Sequence, residues 1–188
     1  GVTTCSTVLP DAVDSLQAAV DAATAGDTLV LHDGVYRGSG WTTLNINKDI
    51  TLRASNRGQA VIDGESARMG IFISGGVVSL SGLNVTRGVQ TGGAFQVTGG
   101  DVTLTGCNMY FNDAHEFTGG GFYINNGVAR LIDCNIFSNQ AASCGGVNNV
   151  GGVLTILGSL ITNNSAVQRW NNRDAEGGGL CNAFSTTT

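Results

Sequence analysis

The sequence predicts an all-β protein, a right-handed parallel β-helix (solenoid) with a short capping α-helix near its N-terminus. The first observation is an internal repeat, because four segments align without a gap: 77–84, 101–108, 128–135 and 153–160. One column of this alignment recurs at separations of 24, 27 and 25 residues, at Leu83, Cys107, Cys134 and Ser159. The second observation is the 29 glycines against one proline, which indicate turns built on Gly and Asn. Repeats of this length predict stacked structural units.

Apolar and polar residues alternate within each repeat, as in a strand with one buried face. The apolar positions form two columns: Val78, Val102, Ala129 and Leu154, then Leu80, Leu104, Leu131 and Ile156. A second strand follows a glycine pair in each repeat, for example after Gly92-Gly93 and after Gly120-Gly121. A strand and a helix together need roughly 30 residues or more, so these repeats are too short for that unit. We therefore expect two strands per coil, with successive coils paired in parallel.

The N-terminal segment has apolar residues at helical spacing instead. Four of them share one helical face: Leu16, Ala19, Val20 and Ala23. Asp14 is placed to cap this helix with Gln17 three residues later, and Gly26 is placed to end it. The segment predicts a short amphipathic helix that covers the first coil.

A chain of 188 residues can bury one continuous core, so we expect a single domain over residues 1–188. Within it we predict an N-terminal cap and first strand over 1–40, coils over 41–184 and a tail over 185–188. No comparable cap is evident at the C-terminal end, and an unpaired strand edge there would invite another chain.

Composition excludes several classes of function. Charged residues make up 12% of the chain, the net charge is −5 and the pI is near 4.7. Binding to nucleic acid needs clustered Lys and Arg, which the sequence lacks. Its apolar stretches are far shorter than the roughly 20 residues of a membrane-spanning helix. We expect neither a nucleic-acid partner nor a membrane span.

Three asparagines occupy one offset in successive repeats, namely Asn112, Asn139 and Asn164. Asn tolerates tight-turn backbone angles, and its side-chain amide can bond to the same amide one coil away. These residues predict a structural asparagine ladder rather than a catalytic site.

Two parts of the sequence resemble known families. The runs 16–20, 25–31 and 34–36 resemble the opening of many secreted proteins with the pectin-lyase-like β-helix fold. The later coils, with Gly92-Gly93-Ala94 and a Phe-x-x-Asn pattern in which Met109, Ile136 and Ile161 replace the Phe, are similar to repeats of the chlamydial polymorphic outer membrane proteins. The resemblance implies a secreted or cell-surface β-helix protein. The first family includes pectate lyases and polygalacturonases, so the resemblance implies a cluster of calcium-binding Asp residues or a set of catalytic Asp residues. Neither the calcium-binding set nor the catalytic set can be assigned in this chain.

The densest polar group is Asp113, His115 and Glu116, with a second group about two coils later at Arg169, Asp174 and Glu176. Carboxylates brought together in a groove can bind Ca²⁺ or perform acid–base chemistry on a sugar. The alternative is that both groups are solvated loop tips. No other metal or cofactor is predicted.

The five cysteines lack the close pairs typical of zinc sites. Cys107 and Cys134 share one inward column, which allows either a disulfide or a stacked pair of buried thiols. The odd count leaves a free thiol or a bond between subunits, for which Cys5 and Cys181 are the candidates. Two sequons place candidate N-glycosylation sites at Asn84 and Asn163. Asn84 alternates outward from the apolar Val85, so the sequence favours it as the acceptor.

We expect an extracellular structural or adhesive solenoid, for example a subunit of a filament or surface layer that associates end to end or with other surface proteins. The alternative is a protein that binds or degrades polysaccharide, although no lyase or glycosidase motif is recognisable. Ice binding is a third hypothesis, based on the pair Thr103 and Thr105, and Arg130 with Ile132 interrupts the array that ice binding needs.

Overall fold

The computed structural model of the chain describes residues 5–10, 12–167, 177–182 and 186–187. In chain order its elements are β1 (Cys5–Val8), α1 (Ser15–Ala22), β2 (Thr28–Leu31), β3 (Gly34–Tyr36), β4 (Thr42–Ile46), β5 (Ile50–Ala54), β6 (Ala60–Asp63), β7 (Met69–Ile73), β8 (Val77–Ser81), β9 (Leu83–Thr86), β10 (Phe95–Val97), β11 (Asp101–Thr105), β12 (Asn108–Tyr110), β13 (Asp113–Thr118), β14 (Phe122–Ile124), β15 (Val128–Ile132), β16 (Asn135–Phe137), β17 (Gln140–Ser143), β18 (Val147–Asn149), β19 (Val153–Leu157), β20 (Leu160–Thr162), β21 (Ser165–Ala166), β22 (Leu180–Asn182) and β23 (Thr186–Thr187).

These strands form a parallel β-solenoid of about six turns, which confirms the predicted fold class. Sheet A has the order β1-β2-β5-β8-β11-β15-β19-β23, and sheet B has the order β3-β6-β9-β12-β16-β20. Sheet C has the order β4-β7-β10-β14-β18-β22, and a smaller sheet D has the order β13-β17-β21. From β2 onward, each complete turn therefore contributes one strand to each of three long sheets, and sheet D adds a fourth side to the later turns.

The register of sheet A places the predicted apolar columns on top of one another. Leu104 pairs with Leu80 on one side and with Leu131 on the other. The side chains of these residues are fully buried, and the core continues without interruption from Val8 to Leu154. Burial of stacked apolar columns is the main stabilising term of this fold, at about 25 cal/mol per Å² of apolar surface.

Helix α1 occupies the place of a strand in the first turn and packs against β4, the edge strand of sheet C. Leu16 and Val20 point into the core, as the apolar periodicity predicts. The capping prediction for Asp14 is wrong, because its side chain makes no cap hydrogen bond. Asp14 instead has φ 62°, and its carboxylate accepts a hydrogen bond from the Ser39 backbone N–H. The helix ends at Ala22, so Gly26 forms a later turn (φ 92°) rather than the helix terminus.

Strands β2 and β3, which fall within the predicted cap at 1–40, already belong to sheets A and B. At the other end, Thr186–Thr187 in the predicted tail forms β23 and pairs with β19. Among the described residues, no helix is long and apolar enough to span a membrane.

The glycine pairs allow very close contacts between turns. A Cβ atom on Gly93 would lie 2.0 Å from the carbonyl oxygen of Gly120 in the next turn, and the φ of Gly93 is +34°. Any side chain at this position would collide with backbone. The glycines that mark each repeat therefore permit the approach of successive turns as well as the chain reversal.

Candidate functional site

The predicted asparagine ladder is present and buried. The Asn112 side-chain Nδ2 donates to Oδ1 of Asn139 at 2.8 Å, and Nδ2 of Asn139 donates to Oδ1 of Asn164 at 3.0 Å. The same Asn139 oxygen accepts from the Asn112 backbone N–H, and Nδ2 of Asn139 also donates to the Met109 carbonyl at 2.9 Å. Each amide thus satisfies backbone groups at the corner between sheets B and D, as well as its neighbour in the ladder. These bonds confirm the predicted structural role.

A second asparagine ladder, which the sequence analysis missed, runs along the outer surface of sheet B. Nδ2 of Asn108 donates to Oδ1 of Asn84 at 2.7 Å, and Nδ2 of Asn135 donates to Oδ1 of Asn108 at 2.9 Å. Asn84 closes the row by donating from Nδ2 to the Gly58 carbonyl at 2.8 Å. In the next turn the same column holds Leu160, which ends the ladder. We call this row the outer ladder.

Left-handed backbone conformations recur just before the buried ladder. The residues at this corner are Arg87, Phe111, Ser138 and Asn163, with φ between 52° and 54°. Such angles cost an ordinary L-residue roughly 1–2 kcal/mol, and Asn tolerates them best. Phe111 is the unusual member, since a bulky aromatic side chain rarely adopts this conformation.

Phe111 belongs to an exposed group of rings on sheet B that we call the aromatic cluster: Tyr110, Phe111 and Phe137. Tyr110 and Phe137 stack with centroids 5.3 Å apart and planes 11° apart. Phe111 packs its ring nearly edge-on against Tyr110 at 5.5 Å and remains 62% exposed. The cluster forms an aromatic surface that the solenoid core does not cover.

Asp113, His115 and Glu116 lie on β13, directly after this cluster, rather than in a loop. Nδ1 of His115 lies 3.5 Å from Oδ1 of Asp113, and Glu116 is exposed. The Asp113 Oδ1 atom is itself buried and has no hydrogen-bond partner. Arg169, Asp174 and Glu176 lie outside the described residues. Within the described ranges, no group of three or more His, Cys, Asp or Glu side chains could hold a metal ion.

A charged cluster lies at the corner of sheet B nearer the N-terminus. Asp63 is buried, and the Arg87 guanidinium binds it, with Nε donating to Oδ1 at 2.9 Å. Burial acts to raise the pKa of Asp63, but hydrogen bonds from Arg87 and the Glu65 N–H, with the charges of Arg87 and Arg37, hold that pKa below its ordinary value. The neighbouring Glu65 pairs with Arg68 and with Arg37. This region therefore contains an ion pair in which Asp63 is buried and the Arg87 side chain is half-exposed.

The cysteines pair differently from the candidate assignments. Cys144 and Cys181 form a disulfide with a Cα–Cα distance of 5.7 Å, so Cys181 bonds within the chain. Cys107 and Cys134 are both free and buried, which is the stacked-thiol alternative. Their thiols donate to the carbonyls of Leu80 and Leu104 in the preceding turns. The description of the structure does not extend to the Cys5 side chain.

The disulfide joins two neighbouring turns, and its cysteines lie on opposite sides of the corresponding glycine pairs. Cys144 directly precedes Gly145-Gly146, and Cys181 follows Gly178-Gly179 after one residue. The register of β18 with β22 sets Cys181 opposite Asn148, so alignment of the repeats does not place the two cysteines in one column.

Apolar side chains are exposed where sheets A and B meet in the later turns. Leu157 is 54% exposed and pairs in register with Ile132, while Leu160 lies across the corner and is 61% exposed. In earlier turns the corresponding column of sheet A holds Ser81 and Thr105. We call Ile132, Leu157 and Leu160 the terminal apolar patch.

The fold and its two ladders define the class as a parallel β-solenoid protein. The chain matches no protein-family model, no curated protein and no solved structure. The structure shows the solenoid fold, and no family match supports the finer resemblance to pectin-lyase-like proteins or to chlamydial outer membrane repeats.

Proposed function

We propose that this chain is an extracellular structural or adhesive solenoid that associates with further copies of itself through the terminal apolar patch. The observation that carries the proposal is the change from polar to apolar residues on one surface. Leu160 replaces an asparagine of the outer ladder, and Leu157 follows Ser81, Thr105 and Ile132 in one column. Apolar side chains grouped on a surface are typical of protein–protein contacts.

The patch has no role in the core that would explain it. Leu157 and Leu160 point away from the buried columns, and each is more than half exposed. A polar residue at position 160 would extend the outer ladder by one further amide. The leucine therefore gives up a hydrogen bond that the preceding turns make, and burial against a second copy would compensate for that loss at about 25 cal/mol per Å² of apolar surface.

Rigidity of the solenoid supports a structural role. The outer and buried ladders join successive turns by side-chain hydrogen bonds, in addition to the backbone pairing of sheets A, B and C. The Cys144–Cys181 disulfide supports an extracellular setting, because such bonds persist mainly in oxidising compartments.

Sedimentation velocity over a concentration series tests the proposal. We expect the wild-type mass to rise with concentration, and the double variant Leu157→Thr, Leu160→Asn to remain monomeric. Val77→Thr is the matched control, since Val77 is equally exposed but lies on sheet A outside the patch. A wild-type protein that stays monomeric throughout, or a double variant that associates as strongly as the wild type, would contradict the proposal.

Polysaccharide binding is the second candidate, and the aromatic cluster is the observation that favours it. Tyr110, Phe111 and Phe137 present flat apolar rings next to the polar strand of Asp113 and His115. Ligand sites commonly combine aromatic surfaces with a few polar groups that fix orientation. Phe111 is exposed and has a left-handed backbone conformation, whereas the residues at the same corner of other turns, Arg87, Ser138 and Asn163, are polar. An exposed aromatic residue in a strained conformation is consistent with a role in binding.

Affinity electrophoresis in gels that contain neutral or acidic glycans tests this second function. Phe111→Ser should abolish retention without unfolding the protein, because Ser138 occupies the same left-handed position in the next turn. Tyr123→Ser on sheet C is the control. The absence of retention on every glycan, or unchanged retention of Phe111→Ser, would contradict glycan binding at this surface, and release of reducing or unsaturated ends would show an enzyme instead.

A further inference from the structure

The two sequons of the chain differ sharply in their structural setting. The first consists of Asn84, Val85 and Thr86 on strand β9, and the second of Asn163, Asn164 and Ser165 between β20 and β21. We propose that Asn163 is the residue at which the folded protein carries an N-linked glycan, and that a glycan on Asn84 is incompatible with the fold.

Both hydrogen-bonding ends of the Asn84 amide are in use. Its Nδ2 donates to the Gly58 carbonyl at 2.8 Å, and its Oδ1 accepts from Nδ2 of Asn108 at 2.7 Å. Asn84 is the first amide of the outer ladder and lies partly buried between two turns. Thr86, which completes the sequon, is buried as well.

Glycosylation would disrupt this arrangement chemically. The Nδ2 atom attacks the anomeric carbon of an activated sugar donor, forms the N–C bond, loses one proton and releases the donor's diphosphate group. The product amide retains one N–H and carries a sugar ring on the same nitrogen. Nδ2 of Asn84 contacts the Gly58 carbonyl in one turn and Oδ1 contacts Asn108 in the next, so a sugar ring on Nδ2 would be crowded between strands about 4.8 Å apart.

Asn163 has the opposite environment. Its side chain is exposed, and its φ of +52° is a conformation that Asn tolerates well. It occupies the corner column of Arg87 and Phe111, whose large side chains project outward from the solenoid. The column therefore accommodates bulky groups without changing the distance between turns.

The other residues of the second sequon suit this role. The buried ladder holds Asn164 in place, since its Nδ2 donates to the Ile136 carbonyl at 2.8 Å, and so fixes the direction of its neighbour. Ser165 is exposed. A glycan on Asn163 would extend from the corner between sheets B and D and leave both ladders intact.

The test is expression behind a secretion leader in a glycosylating eukaryotic host, followed by peptide mass spectrometry of the folded monomer with and without enzymatic removal of N-glycans. We expect one modified site, Asn163, in that fraction. Ser165→Ala should remove the glycan. Thr86→Val should change the mass of the glycosylated protein only by the substitution itself, because Asn84 carries no glycan in the folded fraction. Neither variant alters a ladder asparagine, so both should fold.

Two outcomes would overturn the proposal: a folded monomer that carries a glycan on Asn84, or a folded monomer without one on Asn163. Transfer precedes folding, so chains modified on Asn84 should appear only in the misfolded or retained fraction. Thr86→Val should then increase the secreted yield. The result does not depend on whether the terminal apolar patch mediates association, because the monomer fraction alone is measured.

Discussion

The side-chain amide of Gln17 pairs with the backbone of Asn45 as a neighbouring strand would. Oε1 of Gln17 accepts from the Asn45 N–H at 2.7 Å, and Nε2 of Gln17 donates to the Asn45 carbonyl at 3.2 Å. Asn45 lies on β4, the edge strand of sheet C, so a helical side chain satisfies two groups that would otherwise face solvent. Lys48 reinforces the contact by donating to three carbonyls at the end of α1.

Replacement of Gln17 should weaken this edge protection. Gln17→Ala leaves the Asn45 groups exposed, and we expect a loss of about 1–2 kcal/mol in the free energy of unfolding together with aggregation through β4. Gln17→Glu keeps the acceptor but loses the donor, so its effect should be intermediate. Urea unfolding and light scattering measure the two effects. Equal stability of all three proteins would show that the contact does not protect the edge.

The two asparagine ladders should differ in their contribution to stability. Asn139→Ala removes partners of the buried Asn112 amide and the Met109 carbonyl, and we expect a loss of about 2–3 kcal/mol. Asn108→Ala breaks a half-exposed ladder that water can replace, so the loss should stay below about 1 kcal/mol. Chemical denaturation of the two variants provides the comparison. A larger loss of unfolding free energy for Asn108→Ala than for Asn139→Ala would show that the outer ladder stabilises the fold more than the buried ladder does.

Gapless repeat alignment was sufficient to predict the solenoid, because identical columns must stack once the coils are parallel. The register of Leu80, Leu104 and Leu131 is the one that the alignment gives. The buried ladder was predictable for the same reason, since a column of turn asparagines has its bonding partner one coil away. Helix α1 was predictable from spacing, but the Asp14 cap was not, because its tertiary contact with Ser39 replaces the local one.

Features that depend on side-chain partners one turn away were not predictable from alternation alone. The outer ladder was missed because alternation only places Asn84 on the outer surface, although Asn84, Asn108 and Asn135 share one column of the gapless alignment and that column could have predicted it. The aromatic cluster was missed because Phe111 lies outside the strand columns, and its left-handed conformation has no signature in the sequence. The ion pair of Asp63 with Arg87 joins two neighbouring turns, and Asp63 lies outside the four aligned segments, so the alignment did not predict it.

The two buried thiols should be unreactive in the native state. The hydrogen bond with Cys134 and burial raise the pKa of the Cys107 thiol well above its ordinary value, whereas the hydrogen bond with Cys107 lowers the pKa of Cys134. Both thiols are buried, so the access of a reagent, rather than the amount of thiolate at Cys134, limits the reaction. In a Cys5→Ser background, a thiol reagent should label neither Cys107 nor Cys134 until denaturant is added. Mass spectrometry of the labelled protein gives the number of labelled cysteines. Rapid labelling of either cysteine without denaturant would contradict the observed burial.

Reduction of the disulfide should destabilise the later turns. Cys144 and Cys181 are separated by 37 residues, and a loop of this length corresponds to about 4 kcal/mol of chain-entropy stabilisation. We expect Cys144→Ser, Cys181→Ser to lower the free energy of unfolding by up to that amount. Hydrogen exchange should increase first in β22, which pairs with β18. Uniform exchange across the solenoid would indicate that the disulfide does not anchor β22 locally.

Stability should fall in acid because of Asp63. Its pKa in the folded protein lies below its ordinary value, so the unfolded chain binds the proton more tightly. The stabilisation is therefore complete above the unfolded pKa of about 3.9, and it is lost as the pH falls through the lower folded pKa.

Asp63→Asn should be less stable than the wild type at neutral pH, and its free energy of unfolding should depend less on pH between neutrality and about pH 3. Asp33→Asn, at an exposed carboxylate that accepts from Asn56, is the control for the Asp-to-Asn change itself. Urea unfolding at a series of pH values measures the slopes, and an unchanged slope in Asp63→Asn would assign the acid sensitivity to other carboxylates.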